Sequence, residues 1–325
     1  MKRLTILLLA MHLSLTAKAD LLAPFATSNI NPFVLVHGLP DARPAQLVPH
    51  RVLAWKIQAD VANNFTSDTK PFDSILIDGE TYRANLSLSY GFSDGWEVGV
   101  VVPYIRHEPG QLDSFIEGFH DILGLSEAGR DQVPRNLLNY DYRSGASNQS
   151  LDKSVNGIGD IRLNLGYRIR EHDNRVWSIR GGIKLPTGDA DDFTGSEGTD
   201  VSVGLHLSEG AFLGKESLTF HGSLGVLVLG DGEFVEDQVE DWAVYGSSTL
   251  AWRLSPRFSL KAQFDFHSAL YDTGFDEIGS FAGQLVLGGS VILGKKVQLD
   301  VSVSEDIIVN TAPDVVFNIA LRSRF

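Results

Sequence analysis

The sequence predicts a transmembrane antiparallel up-and-down β-barrel, and three observations carry that expectation. Apolar and polar residues alternate at every second position over most of the chain from Arg51 to Phe325, which puts them on opposite faces of pleated strands. The connections between these segments are short and long in turn, as in outer-membrane barrels. Aromatic residues recur near both ends of the apolar faces, where a membrane barrel carries its two girdles.

The chain begins Met1-Lys2-Arg3, continues in an apolar run from Leu4 to Leu15, and reaches Ala17-Lys18-Ala19. A basic start, a short apolar stretch and a small-residue site predict a cleaved secretory leader over 1–19. The apolar run is shorter than the roughly 20 residues that span a bilayer. No cysteine follows, so no disulfide framework exists and pairing and packing must stabilise the chain.

Residues 20–50 read as irregular. Pro24, Pro32, Pro40, Pro44 and Pro49 exclude a ladder strand, while Phe25, Phe33, Val34, Leu35 and Val36 need to be buried. Two readings remain at this point, a plug folded into the barrel and a periplasmic extension.

The barrel is expected over 51–325, with roughly a dozen strands, an even number as bacterial barrels have. Their spans are 51–64, 80–92, 95–107, 157–171, 175–187, 200–208, 217–230, 241–254, 257–271, 279–294, 296–308 and 314–325. Phe258, Leu260, Ala262, Phe264 and Phe266 share one face, and Ser259, Lys261, Gln263, Asp265 and His267 the other. Trp242 and Trp252, with Trp96 and Tyr104, are the expected membrane girdle. On a tilted strand the two tryptophans project roughly 25 Å apart along the membrane normal, the height of a barrel's apolar band. A soluble β-sandwich also alternates, but its strands are mostly shorter, about 5–6 residues. The final strand places Phe325 on the apolar face, where it resembles the C-terminal signal read by the outer-membrane assembly machinery. Short turns and both termini are expected on the periplasmic side, long loops outside.

A charge facing hydrocarbon near the midplane costs about 2–4 kcal/mol, so the charged residues of the strands must point inward. Expected lumen-lining groups are Arg83, Glu97, Asp160, Arg162, Arg168, Arg180, Lys184, Lys261, Asp265, Asp300 and Arg322, with Arg170 and Arg324 on the same faces. Such mixed charge in a barrel between the filled eight-stranded and the open 16-stranded size predicts a narrow or occluded lumen. In the longest connection Phe115, Ile116, Phe119, Ile122 and Leu123 follow a helical period, so a lid helix is expected over 112–124.

The net charge of −14 gives no footing for nucleic acid. Acidic residues gather in the long connections at 189–197, 231–241 and 276–277, expected to be solvated or to meet lipopolysaccharide phosphates through divalent cations. His206 and His221 are the weak candidates for a metal, on the expectation that their strands set them nearly opposite, but no third ligand is evident. No G-x-S-x-G, H-E-x-x-H or nucleotide loop occurs. Neither a catalytic residue nor a cofactor is therefore expected.

Asn31-Pro32-Phe33 with Gly38-Leu39-Pro40, the Phe115–Leu125 stretch, and Arg130 with Pro134-Arg135-Asn136 resemble a family of Gram-negative envelope proteins known only as a domain of unknown function. Gly157-Ile158-Gly159-Asp160-Ile161-Arg162 and Lys184-Leu185-Pro186-Thr187-Gly188-Asp189 are similar to outer-membrane barrels of phenol-degradation pathways and hydrocarbon uptake. The resemblance implies the architecture and no functional residues. The expected role is a narrow channel, or a binding or uptake protein, for a small solute. A non-conducting structural or envelope-assembly barrel is the alternative, and an outer-membrane enzyme acting on lipid the second. Expected partners are outer-membrane lipid, lipopolysaccharide and the assembly machinery, with a monomer as the oligomeric state.

Overall fold

The computed structural model describes residues 21–110, 137–145, 147–294, 296–308 and 311–325. The expected leader over 1–19 and the expected lid helix with Phe115, Ile116, Phe119, Ile122 and Leu123 lie outside them.

The alternating segments form strands. In chain order they are β1 (Leu53–Thr69), β2 (Ser74–Ser93), β3 (Trp96–Glu108), β4 (Asn139–Ser144), β5 (Ser147–Leu151), β6 (Val155–Ile158), β7 (Arg162–His172), β8 (Arg175–Lys184), β9 (Asp200–Gly210), β10 (Leu218–Val228), β11 (Trp242–Ser255), β12 (Phe258–His267), β13 (Ala282–Leu293), β14 (Val297–Asp306) and β15 (Val315–Arg324). Twelve of them close an antiparallel barrel. The seam is β1 on β15, paired from Ala54 opposite Arg324 to Asn63 opposite Val315. β6 continues the line of β7 along β3, interrupted at Gly159–Ile161. β4 and β5 form a hairpin added to the far end of β2 through Ser74–Asp78.

Two expected boundaries move. Residues 66–77 were expected as a long loop, yet β1 and β2 stay paired to Thr69 opposite Ser74 and turn on a Lys70–Asp73 hydrogen bond of 2.8 Å. The connection 108–156 contains the β4–β5 hairpin rather than loop alone.

Burial is inverted relative to a water-soluble protein. On β12, Leu260 is 42% exposed while its neighbour Lys261 is 4% exposed. Trp242 and Trp252 are 58% and 50% exposed on the outer face. Trp96 packs against Tyr167 at 4.5 Å near one rim, and Tyr104 faces out near the other. Among the described residues no helix is long and apolar enough to cross a membrane. The strands therefore carry the apolar surface. One end of the barrel has the short turns, the first described residue Leu21 and the C-terminus, and there Leu53 and Phe325 exchange backbone hydrogen bonds of 3.0 and 2.8 Å. The Phe325 side chain is exposed there. This is called the turn end below, and the opposite one the loop end.

The inner wall is thinned where it must be. Gly225 stands opposite both Gly204 and Tyr245. A Cβ on Gly225 would lie 2.5 Å from Tyr245 Cζ, so glycine here lets the ring lie flat across the wall.

Candidate functional site in the lumen

Residues 21–49 occupy the lumen. From Leu21 to Asn29 the chain runs extended along the inner face of β12, and the inward side chains of that strand grip its backbone at constant register. Ser259 Oγ donates to Leu21 O at 2.8 Å, and Lys261 Nζ to Ala23 O at 2.7 Å. Gln263 accepts from Phe25 N at 3.0 Å and donates to Phe25 O at 3.1 Å. Thr27 Oγ1 donates to Asp265, and Asn29 Nδ2 meets His267 Nε2 at 3.0 Å. Each pair is separated by 238 residues. The reason is geometric. Alternate residues of an extended strand recur at the same spacing as alternate residues of a second extended segment beside it. A row of polar side chains two apart thus meets the carbonyls and side chains of a parallel-running partner without slippage. Lys261 Nζ also lies 4.5 Å from the centre of the Phe25 ring.

At the loop end the chain turns over in a short helix, α1 (Pro32–Leu35), capped by Asn31 through Phe33 N at 2.9 Å and started by Pro32. It then returns along the opposite wall. Gly38 N donates to Asp200 Oδ2 at 2.6 Å, and Ala45 N to Ser208 Oγ at 2.9 Å. Val48 N donates to Glu97 Oε2 at 2.7 Å. Arg162 reaches Leu39 O at 2.9 Å, and Arg180 reaches Pro44 O at 3.0 Å. The two arms also bond each other, with Ala42 N on Thr27 O at 3.1 Å.

The expected lumen charges mostly face this hairpin and one another. Lys184 sits between Asp160 at 2.8 Å and Asp200 at 3.3 Å and donates to Val36 O at 2.9 Å. Arg83 pairs with Asp60 at 2.9 Å, and Glu97 with Arg180 at 2.8 Å. Asp300 lies 3.0 Å from Arg322 and 3.5 Å from Lys261. Arg168 is different: it sits at the turn-end rim, where it pairs with Asp94 and Glu171 and is 35% exposed. A register shift between Arg168 and Arg170 ends the regular inward alternation there and leaves Arg170 exposed.

The expected histidine pair is not formed. His221 stands opposite Ser208, and His206 opposite Ser223, so the two are offset by two residues along the hairpin. The connection between β9 and β10 carries a 3₁₀ turn at Phe212–Gly214, which centres the hairpin later than the midpoint of the two histidines. Each imidazole serves the plug instead: His206 Nδ1 is 3.2 Å from Arg43 O, and His221 Nε2 is 2.9 Å from Leu22 O. Among the described residues no group of three or more potential ligands could hold a metal.

Over the loop end an aromatic cap closes the lumen, and the sequence reading missed it. Phe33 is fully buried and edge-on to Phe193 (5.4 Å), Phe234 (5.5 Å), Tyr142 (5.8 Å) and Tyr271 (6.5 Å). Phe275 adds to the cluster through Tyr142 at 6.0 Å. The connections that looked like solvated acidic loops are folded inward by these rings. Asp160 accepts from Thr187 N and Gly188 N at 2.9 and 2.8 Å, and Asp200 from Gly230 N at 3.0 Å, which pins two of them. The usable signal was a lone phenylalanine in or next to each acidic stretch, Phe193, Phe234 and Phe275, which has no reason to stay in water. A second short helix, α2 (Asp276–Gly279), belongs to the loop of Phe275.

His37, in the plug between α1 and the returning arm, is buried against Tyr271. Tyr271 Oη donates to Phe33 O at 2.6 Å, so it accepts from His37 Nε2 at 2.7 Å. Burial pushes the His37 pKa down to about 4. The nearby Asp200 carboxylate pulls the other way. The imidazole is thus neutral at physiological pH.

Between plug and wall, cavities lined by Asp265 with His267, by Arg180 with Asp200, and by Asp160 with His37 measure only about 20–30 Å³. Each holds about one or two waters. A larger space of about 140 Å³ opens at the turn end.

A family model described as a protein of unknown function, DUF3187, matches residues 4–325. The chain belongs to this family. No match was found among curated proteins. Among solved structures, an outer-membrane channel from Pseudomonas putida F1 is similar, with a TM-score of 0.58 and 11% identity. That similarity covers 86% of this chain and 98% of the channel. The toluene transporter TbuX of Ralstonia pickettii is more distant, with a TM-score of 0.42 and 11% identity over 87% of this chain and 91% of its own. At such identity the first likeness establishes for this DUF3187 chain the architecture of an outer-membrane β-barrel.

Proposed function

We propose that the chain is a passage protein for small polar solutes in the outer membrane of a Gram-negative bacterium, held shut by its own N-terminal hairpin. The short turns then face the periplasm. The observation that carries this reading is how the hairpin is held. Along β12 the wall binds it through side chains at constant register, and no described backbone ladder joins it to the barrel. Exchanging such a hydrogen bond for one to water changes stability by only about 0.5–1.5 kcal/mol, so the contacts can be released one after another. Once the hairpin leaves, Ser259, Lys261, Gln263, Asp265 and His267 face water across a barrel wider than the eight-stranded size that side chains fill.

The test is a covalent lock. The chain has no cysteine, and a Cβ on Gly38 would lie 2.9 Å from that of Asp200. A Gly38→Cys/Asp200→Cys disulfide needs its Cβ atoms roughly 3.5–4.5 Å apart, so it ties plug to wall once the two backbones separate by about 1 Å. In planar bilayers the native chain should open in discrete steps, the oxidised double variant should be silent, and reduction should restore openings. A folded barrel silent in all three states supports the second reading, a non-conducting structural barrel, which the small residual voids favour.

A further inference from the structure

The turn-end space of about 140 Å³ differs from the other lumen voids in size and in charge. Five basic side chains line it: Arg43 from the plug, Lys56 from β1, Lys296 from the turn before β14, and Arg322 and Arg324 from β15. Among the described residues no carboxylate does. Lys56 stands directly opposite Arg322 across the seam, although like charges in that position weaken a sheet. Arg322 is engaged with Asp300 and Arg43 with Glu97, and Lys56 donates to Gln58 Oε1 at 2.8 Å. Elsewhere in the lumen Lys184 is flanked by two carboxylates, and Arg83 and Arg180 each have their own. Here cations outnumber anions around an accessible space. On the plug side the lining is small and apolar, with Pro24, Ala26, Ala42 and Pro44, while Ser87, Ser89 and Gln298 add polar groups from the wall.

We infer that this cavity is a binding site for a small organic acid, its carboxylate among Lys56, Arg322 and Arg324 and its hydrocarbon body against the plug. A carboxylate relieves the repulsion across the seam and forms charge-assisted hydrogen bonds with planar guanidinium groups. The space holds several waters, enough for a compact acid. Its basic strand residues Lys56, Arg322 and Arg324 alternate with the exposed Ile57 and Leu321 and so lie on inward faces, and the site opens to the turn end rather than to lipid. It requires the barrel with its plug seated and stands whether or not the lumen conducts.

The test is calorimetric titration of the full mature protein in uncharged detergent, at fixed ionic strength set with chloride. The probes are benzoate, inorganic phosphate and dispersed anionic phospholipid. Benzoate should bind saturably with one site per chain, and Lys56→Gln and Arg324→Gln should each weaken it at least tenfold. Lys56→Gln should leave thermal stability close to native, because Lys56 faces Asp41 and Asp60 as well as Arg43 and Arg322, and that separates site loss from misfolding. Absence of saturable benzoate binding, or equal binding by both variants, would overturn the inference. Phosphate or phospholipid binding as tightly as benzoate would overturn the assignment to an organic acid.

Discussion

Phe33→Ala is expected to release the plug while leaving the barrel folded. Truncating a fully buried phenylalanine costs about 3–5 kcal/mol, and four edge-on ring contacts are lost with it. The loss falls on docking because Phe33 belongs to the hairpin, while the strands keep their own backbone ladder. A change of that size raises the undocked fraction about 100- to 4,000-fold, since each 1.4 kcal/mol is tenfold. In bilayers the variant should open far more often than the native chain. In detergent, protease should cut within 21–49 first and spare the strands. Simultaneous unfolding of plug and barrel would show that they form one cooperative unit.

Lys184→Met is expected to have an effect of similar size through electrostatics. Its side chain is 1% exposed and its ammonium group lies between Asp160 and Asp200, whose side chains are 5% and 0% exposed. Those carboxylates pin the loops at 187–188 and 230 and the plug at Gly38. Removing one partner of a buried ion pair leaves uncompensated charge and costs about 3–5 kcal/mol. Loop and plug should loosen together, seen as earlier protease cleavage near residues 188–198 and within 21–49. Adding Asp200→Asn should recover part of the loss, because it removes one stranded charge. A double variant no better than Lys184→Met would contradict this account.

The barrel could be read from the chain because its physics is local. Alternation along Lys261–His267 decides which side chains face lipid, and the twelve strand centres follow from such patterns. Positions that depend on distant partners could not be read in this way. Lys261 and Asp265 were expected to face inward, but nothing local says that they hold Ala23 and Thr27. Residues 74–77 read as loop because their second partner, β4, lies far along the sequence, and 66–69 are strand through their pairing with 74–77. Phe193 and Phe234 were hidden among acidic neighbours, where charge runs suggest solvent and a single ring decides otherwise. The His206–His221 offset turned on the turn between their strands, and a shift of two residues there carries one imidazole past the other.

That the N-terminal segment fills the lumen is tested most directly by hydrogen–deuterium exchange on the folded protein in detergent. Phe25, Gly38, Ala42, Ala45 and Val48 donate their amide protons to Gln263, Asp200, Thr27, Ser208 and Glu97. Peptides covering 21–49 should therefore exchange far more slowly than an unstructured chain, approaching the β12 strand beside them. Complete exchange of 21–49 within seconds, with β12 still protected, would mean that the segment lies outside and the lumen is open.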